Sequence, residues 1–487
     1  MSNQSEFTST PLFVDLDGTL IHSDLLVESL LELIKENILY VLLIPIWLLR
    51  GKAYLKYQIA IKTTIRVDLL PYNSKLLEFL KEEENRGRKL VLISASNEKF
   101  VKAVTEHVGL FDGHFGSDEQ TNLSGNVKLR KIQQSLSNSK FDYAGNAIVD
   151  LEIWNKAEHG IVVSDSNSLI EKAKLITDVS QTYPGNGGSF AGYFKSLRLH
   201  QWLKNLLLFL PLILSHQLNQ SQLVIQSLIA FLSFGLCASS VYLLNDLLDL
   251  PNDRQHITKR MRPLAAGKVP LVGALFLSPL LLACAFFLAS LVTTNFLLVL
   301  ALYYCITSIY SFYLKKIVMI DVITLASLFT LRIIAGAAAI AVPLTFWLLA
   351  FSMFLFVSLA MLKRYTELYL LQEAGLEQPE GRGYYHKDLE ILSILGCCSG
   401  FIAVLVFALY INDDNTSILY LTPQILWLIC PLLLSLVSRV WMLAYRGEMD
   451  EDPIVFAIGD RYSQVVLTIC GLMVWAATQS WDYGNFF

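Results

Sequence analysis

The chain has 487 residues, 54% of them hydrophobic, with a mean hydropathy of +0.48. It is too long for one ordinary domain and too apolar to be wholly soluble, so a membrane portion is expected. The formal net charge is only −4, and the cations gather in particular loops, which excludes a general nucleic-acid footprint.

The polar opening MSNQSEFTST has neither a basic nor an apolar leader region, so no cleavable signal is expected and the first domain is expected to stay cytoplasmic. The apolar run Leu12–Val14 reads as a strand that delivers Asp15 and Asp17, within FVDLDGTLIHSD, to its end. Two carboxylates so placed face one cavity and suit a nucleophile with an acid/base partner. Residues 24 to 80 read as a largely helical insertion. Inside it Ile38–Leu49 is too short to span a bilayer and contains Pro45, giving a cap element that either packs inward or touches the membrane surface. A second strand at 89–93 ends at Ser94; Lys128 lies in NLSGNVKLRKI and Asp150 in FDYAGNAIVDLEIW. Residues 1–182 therefore form a soluble α/β domain, 183–196 a linker whose Gly/Pro-rich stretch puts the boundary near 186, and 197–487 the membrane domain.

Nine spans are expected in that all-α polytopic half, at 203–218, 223–244, 271–292, 294–314, 318–341, 343–363, 390–411, 422–445 and 463–481. Lys and Arg crowd alternate loops, among them Arg254, Lys259, Arg260, Arg262 and Lys268 after the second span. The loops near 215–222, 292–295, 341–346 and 411–421 and the tail 479–487 hold none. This asymmetry predicts an inner-membrane protein with a cytoplasmic N-terminal domain and an external C-terminus. The seven Cys include no CxxC pair and lie in apolar segments without His partners, which points to lipid-facing or core positions.

In NDLLDLPNDRQHITKRMRPLAAG, residues 245 to 267, Asp246, Asp249 and Asp253 fall at i, i+3 and i+7 beside Asn245. On one helical face they offer hard oxygen ligands for Mg²⁺ bridging a diphosphate, with Pro251 a source of kinking. Lys259, Arg260 and Arg262 follow directly and suit an additional phosphate. A weaker constellation is Tyr310, Ser311, Lys315 and Asp321 in YSFYLKKIVMID. Arg332 lies eleven residues beyond Asp321, a costly depth for a charge, and predicts a phosphate or carboxylate partner. Lys363, Arg364 and Glu367 add polar groups, although snorkelling accounts equally for the cations. In SLRLHQWLKN, Trp202 reads as an interfacial anchor and Lys204 and Asn205 as candidates for a cavity. Glu451, Asp452 and Pro453, with Asp460 and Arg461, form a charged loop of no evident role.

The order of these pieces over about 190–487 resembles the UbiA superfamily of intramembrane prenyltransferases, on the NDxxDxxxD motif at Asn245, Asp246, Asp249 and Asp253. The resemblance implies Mg²⁺-held diphosphate, with the usual second motif reduced here to Asp321 after YSxxLK. RQHITKRMRPLAAG, YSFYLK and LKRYTEL look most like the decaprenyl-phosphate phosphoribosyltransferase branch. That branch implies 5-phosphoribosyl 1-diphosphate as donor and a polyprenyl phosphate as acceptor, with Lys204, Tyr310, Lys315, Asp321, Arg332, Lys363 and Arg364 among the binding residues. The DxDGT arrangement resembles the haloacid dehalogenase superfamily, implying a Rossmann-like fold with a helical cap. By that resemblance Asp15 is the nucleophile, Asp17 the acid/base, Ser94 and Lys128 bind phosphate, and Asp15, Asp17 and Asp150 hold Mg²⁺. Asn146 departs from the pattern, standing where many members carry an acid, and offers only a neutral oxygen ligand. The expected activity is phosphoribosyl transfer followed by removal of the 5-phosphate; the alternatives are ordinary prenyl transfer and a lipid transporter with a fused phosphatase. Oligomeric state, pathway and tail length stay open.

Overall fold

The computed structural model describes residues 10–136, 140–185, 188, 190–256, 258–375, 382–413, 419–449 and 453–479. The expected boundary at 186, the charged pair Glu451 and Asp452, and most of the tail 479–487 lie outside them. By compactness the chain divides into Met1–Arg198 with Tyr242–Leu280, and Leu199–Val241 with Leu281–Phe487.

The first unit is built on six parallel strands: β1 (Leu12–Val14), β2 (Leu90–Asn97), β3 (Gly113–Ser117), β4 (Asp142–Gly145), β5 (His159–Val163) and β6 (Asp178–Tyr183), in the order β3-β2-β1-β4-β5-β6. Leu12 aligns with Leu90 on one side and Asp142 on the other. Alternation along the strands divides the apolar residues between two layers. Leu12, Val14, Leu90 and Leu92 enter one core; Phe13, Val91, Ile93, Tyr143 and Trp154 enter the other. A strand covered on both faces has little use for polar residues, hence the short apolar run of β1. Succession reverses at β1, since β2 and β3 are added on one side and β4 to β6 on the other. Such a reversal opens a crevice at the carboxyl ends of the strands, and Asp15 is the first residue past β1.

The insertion is helical as expected, with Leu25–Glu36, Lys52–Lys62 and Ser74–Asn85. Ile38–Leu49 is not one helix interrupted by Pro45. It is a 3-10 turn, Ile38–Leu42, followed by a new helix, Ile44–Leu49, whose first turn accommodates the proline. Across the segment most apolar side chains are outward, Leu42 being 71% and Leu49 89% exposed, while Trp47 packs inward against Leu33, Leu55 and Ile59.

Seven helices among the described residues are long and apolar enough to cross a membrane: Ser221–Leu248, Leu271–Ser290, Thr294–Phe312, Ile320–Ile340, Phe346–Glu373, His386–Ile411 and Pro423–Tyr445. The first and last expected spans appear instead as shorter apolar helices, Leu199–Leu214 and Arg461–Ala477. Local chemistry accounts for the first, because Leu199–Phe209 is wound as 3-10 helix and Pro211 starts the short helix Leu210–Leu214. Trp202, expected as an interfacial anchor, packs inward: its ring lies against Gly235 and its indole N–H donates to Ser239 Oγ at 3.0 Å. Small residues permit the closest approaches. A Cβ on Gly336 would lie 2.1 Å from the Leu208 carbonyl oxygen, so Leu199–Phe209 and Ile320–Ile340 touch backbone to backbone. Gly336→Leu is expected to force them apart, costing about 1–3 kcal/mol; thermal unfolding of the full chain in detergent should show a lowered Tm, and an unchanged Tm would contradict the contact.

Candidate functional site

The crevice at β1 gathers the residues expected from the first half of the sequence. Lys128, in helix Asn126–Ser135, extends Nζ to Asp15 Oδ1 at 2.7 Å and to the Tyr143 hydroxyl at 3.1 Å. Asp17 is held by Ser94 Oγ at 2.9 Å, Ser96 Oγ at 2.7 Å and the Leu25 amide at 2.8 Å. Ser96 was not among the expected residues; it stands two positions beyond Ser94 and reaches the same carboxylate. Asp150 accepts from the Asn146 and Ala147 amides, at 3.0 and 2.9 Å, and from the Tyr143 hydroxyl at 2.9 Å. It therefore shapes the turn that presents Asn146. Asn146 in turn accepts from Thr19 Oγ1 at 3.2 Å and fills the space over Gly18. That glycine has φ +75° and no room for a Cβ, which explains the glycine of DxDG on steric grounds.

Burial pushes the Asp15 carboxyl up to about 7, with Lys128 opposing and Asp150 and Asp17 adding to the rise. Burial alone would depress Lys128, yet Asp15 and Asp150 keep its ammonium above the ordinary lysine value. Asp24, which caps helix Leu25–Glu36, is raised to about 6 by burial and by Asp17. Asp15, Asp17, the Asn146 amide and Asp150 form an oxygen-only donor set of the kind Mg²⁺ takes. A different trio, Asp142, Glu158 and His159, is the one set among the described residues whose ligand atoms lie within 4.8 Å of one another. It stands at the opening ends of β4 and β5, away from the carboxyl-end crevice.

The second acidic group straddles a helix break. Asp246 lies in the last turn of Ser221–Leu248, Asp249 caps the short helix Leu250–Gln255, and Asp253 lies within it. The three carboxylates therefore do not share the face of one continuous helix, and Pro251, in the first turn of the new helix, marks the break. Arg262 Nη1 bridges Asp246 Oδ1 at 3.2 Å and Asp253 Oδ2 at 2.7 Å, and Arg198 also binds Asp246. Arg198 has φ +51°, a conformation that costs a side-chain-bearing residue and that aims its guanidinium at the acid. Burial lifts Asp253 to about 6, with Arg262 opposing and Asp246 adding. Lys259 also draws Asp253 downward, whereas Arg260 is exposed. Asn245 is half-buried on the same helix.

In the second unit Arg364 is the centre of a buried network. Its Nε and Nη2 hold Asp321, the latter at 3.0 Å; Nη2 donates to the Tyr310 hydroxyl at 3.1 Å and Nη1 to Glu367 at 2.6 Å. Tyr310 donates to Asp321 at 2.6 Å, and Arg382 approaches Glu367 at 3.1 Å. Snorkelling is thereby excluded for Arg364, which is 1% exposed. Among the described residues the hydrogen-bond partners of Arg332 are neutral rather than carboxylates. Its nitrogens donate to Asn205 Oδ1 at 3.0 Å, the Leu328 carbonyl at 2.6 Å and the Tyr303 hydroxyl at 3.1 Å, while Phe234, Tyr303 and Phe329 present rings to it. Neutral oxygens and ring faces disperse the charge. Lys204 and Asn205 are buried; Lys315 and Lys363 are half-buried.

Residues 207–375 match the UbiA prenyltransferase family. An uncharacterized protein of Sinorhizobium fredii, y4nM, is 34% identical over 93% of this chain and 88% of its own length. The chain belongs to the UbiA prenyltransferase family. A decaprenyl-phosphate phosphoribosyltransferase of Mycolicibacterium smegmatis is 38% identical over 38% of this UbiA chain, a stretch that spans 59% of that relative. Among solved structures, a UbiA homologue from Archaeoglobus fulgidus bound to GPP and Mg²⁺ aligns with 58% of this chain and 99% of that one, at 18% identity and a TM-score of 0.43. An apo phosphoserine phosphatase aligns with 36% and 94%, at 16% identity and a TM-score of 0.27.

Two outcomes follow for this UbiA protein. Mg²⁺ takes carboxylates in their ionised form, so an ion entering beside Asp15 would compete with the proton that burial holds there up to about 7. Without metal, the raised Asp15 pKa favours the folded state at low pH and loses that contribution as pH climbs through about 7. The rise in Tm on adding Mg²⁺ should therefore be larger at pH 8 than at pH 6, and Asp15→Asn should flatten the difference. In the second unit, Arg364→Met strands the buried Asp321 charge and should destabilise by about 3–5 kcal/mol, with Asp321→Asn in the same chain recovering part of it; calorimetry in detergent reads both.

Proposed function

We propose that this protein transfers 5-phosphoribose from 5-phosphoribosyl 1-diphosphate to a polyprenyl phosphate, releasing diphosphate, and that its α/β half then removes the 5-phosphate to leave a polyprenylphosphoryl ribose. The observation that carries the reading is the arginine pair, Arg198 and Arg262, set against Asp246 and Asp253. A donor with a phosphate besides its diphosphate needs cations beside the metal-binding acids, and Arg engages phosphate bidentately. The Mycolicibacterium smegmatis relative, a decaprenyl-phosphate phosphoribosyltransferase, supports the same choice.

In this reading Asp246, Asp249 and Asp253, with Asn245, hold Mg²⁺ on the diphosphate, and Lys259, Arg260 and Arg262 take the 5-phosphate. Lys204, Tyr310, Lys315, Asp321, Arg332, Lys363 and Arg364 serve as binding and positioning residues. Bound Mg²⁺ supplies charge neutralisation for the departing diphosphate. An oxygen of the acceptor phosphate attacks the anomeric carbon as the bond to diphosphate breaks; the acceptor is already anionic and requires no strong base. In the α/β half, Asp15 attacks the 5-phosphorus and Asp17 gives a proton to the leaving ribose oxygen, forming an aspartyl-phosphate. Water, deprotonated by Asp17, then releases inorganic phosphate. Ser94 and Lys128 bind the phosphoryl oxygens, and Asp15, Asp17, Asp150 and the Asn146 amide hold Mg²⁺. The nine-span arrangement, with the N-terminal domain at the cytoplasmic face of the inner membrane and the C-terminus outside, belongs to this reading, which the loop charges support.

The test is incubation of membranes with ribose-labelled phosphoribosyl diphosphate, Mg²⁺ and polyprenyl phosphates, followed by lipid analysis. Label is expected in lipid, to be lost with Asp246→Asn, and Asp15→Asn is expected to accumulate the 5-phosphorylated lipid. Prenylation of an aromatic acceptor with no ribosylated lipid would contradict the proposal.

A further inference from the structure

Glu28 and Arg254 belong to neither reaction, yet they form one of the most buried ion pairs in the first unit. Arg254 Nη2 donates to Glu28 Oε1 at 2.7 Å and Nη1 to Oε2 at 3.0 Å, and each side chain is only 7% exposed. One partner adjoins the phosphate-cleaving loop: Ser23 donates its hydroxyl to Glu28, the Ser23 carbonyl accepts from Gly18 at 3.1 Å, and the Leu25 amide holds Asp17. The other partner follows Asp253 directly, and its Nε is fixed on the Ala265 carbonyl at 3.2 Å. Beside the pair, Gly267, at φ +67°, lies so close to His22 that a Cβ there would be 2.7 Å from the His22 Cβ and 2.8 Å from its carbonyl oxygen. The loop and helix after DxDG and the helix and loop after the Asp-rich motif are thus seated on each other twice, by a bidentate ion pair between the helices and by close contact of His22 with Gly267.

A buried ion pair adds little net stability over apolar packing, but it fixes one geometry sharply. We infer that Glu28 and Arg254 act as a clasp holding the Asp15 site at a set position relative to the Asp246–Asp253 cluster, so that the phosphorylated lipid made at one passes to the other without release into the bilayer. The inference rests on the two-step function proposed above. Both are positioning residues: each acts through the loop it fixes, and neither touches the reacting atoms.

Full-length protein in nanodiscs, supplied with phosphoribosyl diphosphate, Mg²⁺ and a polyprenyl phosphate, tests the clasp by mass spectrometry of 5-phosphorylated against dephosphorylated ribosyl lipid. In Glu28→Gln and Arg254→Gln that ratio is expected to rise about tenfold, as for a lost coupling of ordinary size, with transfer rate and p-nitrophenyl phosphate hydrolysis each within about threefold of wild type. The charge-exchanged double variant, E28R with R254E, should restore the ratio. A ratio unchanged in both single variants overturns the clasp, as does a parallel fall of both partial reactions that the exchange does not repair. Absence of any ribosylated lipid from wild type instead overturns the two-step function itself, and the clasp with it.

Discussion

Acids taken out of water must be matched by cations, and in this protein that constraint organises each candidate site. Asp15 faces Lys128, Asp246 and Asp253 share Arg262, and Asp321 is enclosed by Arg364. Burying a carboxylate without such a partner is costly. The cations are also the groups that a phosphorylated substrate requires.

The fold supplies the places where this pairing is compelled. In the α/β half the reversal of strand order at β1 opens the crevice into which Asp15, Asp17, Lys128 and the Asn146 turn all project. In the helical half it is the interruption of regular structure that matters. The break between Leu248 and Leu250 separates Asp246 from Asp253 by a turn and leaves room for one guanidinium to reach both. Arg332 shows the opposite solution, in which a buried cation is accommodated by carbonyl, hydroxyl and ring faces, and a charge deep in a span becomes a packing element.

What could be read in the sequence was what is local. FVDLDGT places two acids past an apolar run, and NDLLDLPND gathers three at helical spacing, so both acidic groups were legible, as was the kink at Pro251. The partners were not, because they come from distant segments. Arg198 is forty-eight residues from Asp246, and Arg364 forty-three from Asp321. Arg254 is two hundred and twenty-six residues from Glu28 and looked like one more loop cation that sets orientation. The two end helices were the least legible, since hydropathy alone does not distinguish the 3-10 winding of Leu199–Phe209 from regular α-helix. Ser96 carried a weak signal, a second hydroxyl two positions beyond Ser94 on β2 and so on the same face, reaching Asp17 at 2.7 Å.

The proposed function requires one chain both to add a phosphorylated ribose to a lipid and to strip its phosphate. The most direct measurement uses phosphoribosyl diphosphate carrying ¹⁴C in the ribose and ³²P at the 5-position, with the isotope ratio followed in the extracted lipid. Wild-type lipid is expected to keep ¹⁴C and lose ³²P to inorganic phosphate, while lipid made by the Asp15→Asn variant keeps both in the donor's ratio. Wild-type lipid that retains the donor's ratio, or that carries neither label, would contradict it.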